Sequence, residues 1–121
     1  MIVSARDRAK VGDVFWVVVE HFYTPKDSPL CETEYCVCRA EVYKLLPQWD
    51  EMVLHGPGPD GYQQLHYCKN KNIGKTVFRT PREAALYALE LTEKNDRVWA
   101  RMGEKPMRRT WEKYLEEDVN V

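Results

Sequence analysis

The sequence predicts an α+β fold, in which a small five-stranded antiparallel sheet, closed as an SH3-like barrel or curled, is followed by one or two C-terminal helices. Residues 13–79 contain short runs rich in β-branched and aromatic residues, separated by turns that contain glycine or proline. From Thr80 onwards the apolar residues recur at helical spacing instead. Strands that precede the helices, rather than alternating with them, are typical of the α+β class.

The first two strands carry most of the predicted core. Residues 13–22 follow a Gly-Asp turn and are apolar on both faces, so we expect this strand to be central in the sheet. The run 34–46 alternates with a period of two, which indicates a half-buried strand. Its inward face is predicted to consist of Cys36, Cys38, Ala40 and Val42.

Three shorter strands complete the predicted sheet. Pro47 ends the second strand, and a reversal rich in glycine and proline at 56–61 joins the third strand to the fourth. On the fourth strand, Leu65 and Tyr67 are predicted to form the apolar side. The predicted ranges of these strands are 49–55, 62–68 and 76–78.

Two helices are predicted after the sheet. Thr80 is the predicted N-cap of a capping box, in which Glu83 reaches back to the N-cap amide. The apolar stripe predicts a first helix over 81–102, or one that breaks near 95–96. A second, amphipathic helix is predicted over 106–117.

Length and composition exclude several classes of protein. With 121 residues, the chain is predicted to form a single domain, 1–121, whose core needs neither a disulfide nor a metal to fold. The net charge of -1 argues against a uniformly basic nucleic-acid protein. The longest apolar run, 14–19, is far shorter than the roughly twenty residues of a membrane span, so we expect no membrane partner. No export signal is recognised, so we expect a cytoplasmic protein with reduced cysteines.

Five side chains are of the types that bind zinc, namely Cys31, Cys36, Cys38, His66 and Cys68. Structural zinc sites typically use pairs of ligands in C-x2–4-C spacing, whereas the spacings here are C-x4-C-x-C and H-x-C. His66 and Cys68 are also predicted to lie on the polar side of their strand, while Cys36 and Cys38 point inward. We therefore expect no metal and no cofactor, with this set as the remaining metal alternative.

The sequence contains no motif for nucleophilic catalysis, phosphate binding or metal-dependent hydrolysis. Nothing local activates Cys38, His21 or His55 as a catalytic pair, and the acidic residues are scattered. We therefore expect a non-enzymatic protein, and a small enzyme or ligand-binding domain is the third hypothesis.

The segment 69–82 is the candidate nucleic-acid site. Its basic residues are Lys69, Lys71, Lys75, Arg79 and Arg82, with no acid among them. Basic loops on small barrels can hold phosphates. A nucleic-acid-binding barrel that uses this segment is therefore the second hypothesis.

The C-terminal region supplies candidates for a protein interface. They are Arg108, Arg109, Trp111 and Tyr114. Trp, Tyr and Arg are enriched at protein interfaces. Packing of the aromatic rings against the sheet is the other interpretation of this stripe.

Two segments resemble small uncharacterised proteins of phages and mobile elements in Firmicutes. Residues 12–16 resemble a Gly-Asp-x-Val-aromatic first strand, with Phe15 at the valine position, and residues 74–84 resemble a Gly-Lys-Thr-Val-Phe-x-Thr-x-Glu-Glu-Ala tail. In the tail, Pro81-Arg82-Glu83 covers the positions of the two acids, and Arg82 replaces the first of them. The resemblance implies a phage or prophage of a Gram-positive bacterium and implies no chemistry. The leading hypothesis is thus an accessory protein that binds a host or phage protein, for example as an anti-defence inhibitor.

Overall fold

The computed structural model describes residues 9–24, 32–95 and 111–117, and within these ranges five antiparallel strands form one sheet in the order β4-β3-β2-β1-β5. The strands are β1 (Val14–Tyr23), β2 (Glu32–Leu46), β3 (Glu51–Pro57), β4 (Gln63–Lys69) and β5 (Val77–Phe78), and the helices are α1 (Pro81–Glu93) and α2 (Glu112–Glu117). The α+β class is therefore confirmed. The described strands form an open sheet, with β4 and β5 at its edges, and do not close into a barrel.

The long strand β2 joins two halves of the sheet. Its residues 32–41 pair with β1, whereas residues 41–46 pair with β3. The register shifts between Val42 and Lys44, where Tyr43 is the extra residue. Such bulges bend a strand and increase its local twist. We call the face of the sheet that carries Cys36 and Met52 the inner face.

The two faces of the sheet build separate apolar clusters. The inner face supplies Phe15, Val17, Cys36, Cys38, Ala40, Val42, Met52, Leu54 and Val77. On the opposite face of β1 and β2, the side chains of Tyr35, Val18 and Val37 pack against α1 and Trp111. The first strand lies between β2 and β5, so it is internal to the sheet as predicted, and both of its faces contact apolar clusters, although Phe22 near its end is exposed. The predicted inward direction of Cys36 and Cys38 is confirmed. Tyr35 is buried as well, because α1 covers its side of β2.

The first helix begins as its capping box predicts. The Thr80 hydroxyl accepts a hydrogen bond from the Glu83 amide at 3.3 Å and donates one to Glu83 Oε1 at 2.9 Å, so Glu83 reaches the hydroxyl rather than the N-cap amide. The helix ends at Glu93 with Lys94 as its C-cap, so the prediction of a helix to residue 102 is too long and the predicted break near 95–96 is closer.

No helix among the described residues is long and apolar enough to cross a membrane.

The predicted orientation of β4 is wrong. Leu65 and Tyr67 point away from the core and are exposed, whereas His66 and Cys68 lie on the inner face. The pairing explains this, because Leu54 opposes His66 and Met52 opposes Cys68, and opposed residues share a face. The outer side of β4 remains uncovered because α1 packs over β1 and β2.

The start of the third strand also differs from the prediction. Trp49 belongs to a short 3-10 turn, Pro47–Trp49, and β3 begins only at Glu51. Asp50 links them with a left-handed backbone, φ 52°, which continues neither a helix nor a strand. Trp49 is therefore exposed at a corner of the sheet instead of lying in its ladder.

Candidate functional site

An exposed surface of aromatic and apolar side chains covers the outer side of β3 and β4. We call it the aromatic face and define it as Tyr43, His55, Leu65 and Tyr67. His55 opposes Leu65 across the strands, and its ring centroid lies 5.5 Å from that of Tyr43. Tyr43, Leu65 and Tyr67 are 57%, 56% and 67% exposed. The extra residue of the β2 bulge, Tyr43, lies beside His55, and α1 packs over β1 and β2, so this surface stays uncovered.

The floor of the aromatic face is ordered by packing and hydrogen bonds. Val53 opposes Tyr67 and is buried, although it belongs to neither apolar cluster of the core. The Gln63 amide donates a hydrogen bond to His55 Nδ1 at 2.9 Å. The exposed rings therefore stand on a paired sheet, not on a loose loop. A rigid platform of this kind lowers the entropy cost of binding.

Charged residues surround the aromatic face as ion pairs. Lys69 Nζ lies 2.9 Å from Glu51 Oε1 at one end. On β2, Arg39 Nη1 lies 3.2 Å from Glu41 Oε1. On the β2 side, Lys44 opposes Val53 and is exposed. The face therefore has one cation beside its aromatic residues, and part of the charge at its rim is already neutralised.

The basic segment predicted from the sequence is partly engaged in ion pairs. Lys69 is paired with Glu51, as described above. Arg79 lies 3.9 Å from Asp13 Oδ2, and its guanidinium carbon lies 4.8 Å from the centroid of the Phe15 ring. Lys71 and Lys75 are exposed and form no ion pair within the described ranges, and Arg82 is exposed at the start of α1. Two of the five predicted phosphate ligands therefore already have a carboxylate partner.

The candidates for a C-terminal interface have different environments. Trp111 is only 3% exposed and packs with Tyr35, Ala85 and Ala88. The Tyr114 ring is half-buried and meets Trp16 edge-on, with centroids 5.4 Å apart. Trp111 therefore acts as a core residue, in agreement with the packing interpretation. Arg108 and Arg109 lie outside the described residues.

The cysteines and His66 do not assemble into the metal set considered from the sequence. In the part of the chain that the structure describes, only one group of three side chains is close enough to share an ion, and it contains Cys36 but neither Cys38, His66 nor Cys68. Burial raises the pKa of Cys38, and burial together with the Glu51 carboxylate raises the pKa of Cys68 to about 11. Burial also lowers the pKa of His66. Cys31 lies outside the described residues.

The group that does assemble is His21, Glu34 and Cys36, on the inner face at the end of β1 and the start of β2. His21 Nδ1 and Glu34 Oε1 are 2.8 Å apart, and the three potential ligand atoms all lie within 4.8 Å of one another. Sequence reasoning missed this group because it treated Glu34 as one of several scattered acids. The alternation of β2 could have predicted it, since Glu34, Cys36 and Cys38 are spaced two residues apart and therefore lie on the same face of the strand.

No protein-family model, no curated protein and no solved structure matches this chain.

Proposed function

We propose that the protein acts by binding another protein through the aromatic face and the adjoining edge of β4, and not by catalysis. The observation that carries the proposal is the exposure of Tyr43, Leu65 and Tyr67 on one sheet surface. Contiguous exposed apolar patches on soluble proteins mark interaction sites more often than they occur by accident. Single exposed apolar residues elsewhere on the chain, such as Leu86, need no such explanation.

The distribution of charge favours a protein partner. Protein interfaces have an apolar, aromatic centre that is depleted of charge and a polar rim. The aromatic face has this arrangement, with Tyr67 and Leu65 at the centre and Lys44 and the Lys69–Glu51 pair at the rim. A surface that binds nucleic acid needs an excess of cations, which compensate the phosphates. Glu51 already compensates Lys69 here.

The edge of β4 adds a backbone element to this surface. Among the described strands, β4 pairs only with β3, so its other side presents amide and carbonyl groups to the outside. An extended segment of a partner can pair with such an edge and gain backbone hydrogen bonds. Its alternate side chains would then lie beside Leu65 and Tyr67. The partner is thus a protein that contributes an extended segment with apolar side chains.

The resemblance to phage proteins suggests the biological setting of this binding. In that setting the partner is a host or phage protein, and inhibition of a host defence effector is one concrete form of the function. This part of the proposal is supported by residues 12–16 and 74–84 alone, through the resemblance described above.

The experiment compares two double variants in retention of proteins from a Gram-positive host lysate. Leu65→Ser/Tyr67→Ser removes the centre of the aromatic face, whereas Val11→Ser/Leu86→Ser removes two exposed apolar side chains elsewhere. We expect a protein that the wild type and the control retain equally, and that the aromatic-face variant retains at least tenfold less, with nuclease present. Equal retention by all three would refute the proposal.

Two further measurements test the alternatives to a protein partner, namely a nucleic acid and a second copy of this chain. The nucleic-acid alternative is tested at Lys71 and Lys75, because both are exposed. Micromolar binding of a single-stranded oligonucleotide that weakens with salt and is lost in Lys71→Ala/Lys75→Ala would overturn the preference for a protein. A stable dimer in light scattering that is lost in Leu65→Ser/Tyr67→Ser would assign the face to a second copy of this chain, and would also overturn it.

A further inference from the structure

We propose that His21, Glu34 and Cys36 form a binding site for a zinc-class transition-metal ion, with one coordination position open to a neighbouring cavity. The site lies on the inner face, and the aromatic face lies on the outer side of the sheet. The two surfaces share no residue. The proposal therefore goes beyond the proposed protein-binding function and does not depend on it.

The strand register brings the three side chains together. His21 and Glu34 are direct partners in the antiparallel β1–β2 pair, and Cys36 opposes Val19 in the neighbouring row of the same face. Residues two apart on a strand share a face, so Cys36 stands beside the His21–Glu34 pair. Directly opposed residues have Cβ atoms about 5 Å apart, and diagonal neighbours remain within reach of long side chains.

The distances are close to those that a tetrahedral ion requires. Zinc binds nitrogen and oxygen at about 2.0–2.2 Å and thiolate sulfur at about 2.3 Å, so its ligand atoms lie roughly 3.3–3.8 Å from one another. His21 Nδ1 and Glu34 Oε1 are 2.8 Å apart, and no pair of ligand atoms in the group is separated by more than 4.8 Å. Side-chain shifts on the order of 1 Å convert this arrangement into a coordination sphere.

One carboxylate oxygen of the group lacks a hydrogen-bond donor or a cation to balance its negative charge. Glu34 Oε2 is buried and has no hydrogen-bond partner within the described residues. A buried carboxylate oxygen that lacks a donor is costly, because it has lost its water without replacement. A cation bound between Glu34, His21 and Cys36 would meet this requirement directly. This observation is independent of the distances and points to the same ligand.

The donor types select the class of ion. Imidazole nitrogen and thiolate sulfur suit zinc and its neighbours, whereas magnesium and calcium prefer oxygen ligands alone. One thiolate and one carboxylate together balance the charge of a divalent cation, with the imidazole neutral. Binding at Cys36, which is 5% exposed, therefore releases a proton and buries no net charge.

A cavity of about 260 Å³ adjoins the group. Its lining consists of Glu34, Cys36, Val37, Cys38, Arg39, Pro57, Gly58 and Pro59. Glu34 and Cys36 thus reach the cavity, which is large enough for water and a small ligand. Three protein ligands with a fourth position open to solvent are characteristic of zinc sites that bind an exchangeable molecule, whereas structural sites are closed by four protein ligands.

The first experiment titrates zinc into the reduced, metal-free full chain, with a reductant that does not bind metals. We expect one ion per chain and a rise in Tm of roughly 8–15 °C when free zinc is about a hundred times Kd. Cobalt is the spectroscopic probe, because a thiolate ligand produces an intense near-ultraviolet band. If the folded wild type binds no ion at one-to-one stoichiometry, or binds cobalt without the thiolate band, the proposal is wrong.

Variants then assign the ligands. We expect His21→Gln and Glu34→Gln each to weaken zinc binding at least tenfold, and Cys36→Ser to abolish the thiolate band. His66→Gln and Cys68→Ser are matched controls, because both residues are half-buried on the same inner face, and they should bind as the wild type does. Loss of binding in the controls but not in the three ligand variants would overturn the assignment. Circular dichroism of each metal-free variant checks its folding, and the wild-type titration decides the proposal even where a variant does not fold.

Discussion

Addition of one methyl group at Gly56 should destabilise the protein, because β3 runs directly against the backbone of β2 at this position. A Cβ atom at Gly56 would lie 2.4 Å from the Arg39 carbonyl oxygen and 3.1 Å from Ala40 Cα. Both are backbone atoms in the part of β2 that pairs with β1, so neither can rotate away. Relief requires β3 and β2 to separate at this position.

The magnitude follows from two opposing effects. Forcing an extra methylene-sized group into a packed interior costs about 1–3 kcal/mol, and separation of backbones belongs at the upper end. Replacing glycine by alanine in a strand returns about 0.5–1 kcal/mol of chain entropy. We therefore expect Gly56→Ala to lower the free energy of unfolding by about 2 kcal/mol, and Tm by roughly 6–12 °C in a domain of this size.

Gly58→Ala is the matched control for this prediction. A Cβ atom there would lie 2.5 Å from Gln64 Cδ, but that contact is with a side chain that can rotate. We expect a change below about 0.5 kcal/mol. Urea unfolding and thermal melts, both followed by circular dichroism, measure the two variants. If Gly56→Ala is as stable as the wild type, or if the two variants lose the same stability, the close approach of β3 to β2 is not as described.

Three further predictions concern the helices and the inner face. Thr80→Ala should lower the free energy of unfolding by about 1 kcal/mol in urea, because the Glu83 amide loses its acceptor. Trp111→Ala should cost about 3–5 kcal/mol if the ring packs on Tyr35 as described, and a loss below about 1 kcal/mol would show that it does not. The free energy of unfolding should fall as pH rises from about 9 to 11. Burial and the Glu51 carboxylate raise the pKa of Cys68 in the folded chain to about 11, whereas in the unfolded chain the thiol has its ordinary pKa of 9.0 and ionises first. The fall attributable to Cys68 is about 1–2 kcal/mol after allowance for its partial exposure, and it should be absent in Cys68→Ala when Tm is followed against pH.

The elements that the sequence predicts well depend on local chemistry. Thr80 and Glu83 predict the start of α1 correctly, because a capping box needs only residues within one helical turn. Cys36 and Cys38 point inward as predicted because alternation within a strand is a property of its own backbone. The end of α1 is harder to predict, since the apolar stripe continues in the sequence beyond Glu93 although the helix does not.

The aromatic face shows where local chemistry is insufficient. Leu65 and Tyr67 alternate as residues of a buried strand face should, yet they are exposed. The alternation of residues along a strand indicates that its two faces differ in polarity. Which face is buried depends on the layer that packs against it. At β4 the covered side is the one that shares the inner core with Met52 and Leu54, and it carries His66 and Cys68.

The candidate metal group depends on register between strands. His21 and Glu34 are thirteen positions apart, and only the antiparallel pairing of β1 with β2 makes them partners 2.8 Å apart. The sequence alone determined the strands, their alternation and the capped helix, because these follow from backbone geometry and neighbours along the chain. Tertiary structure decided which side of β4 is exposed and which side chains meet around Glu34, because burial and convergence depend on residues that are distant in sequence and are brought together only when the sheet forms.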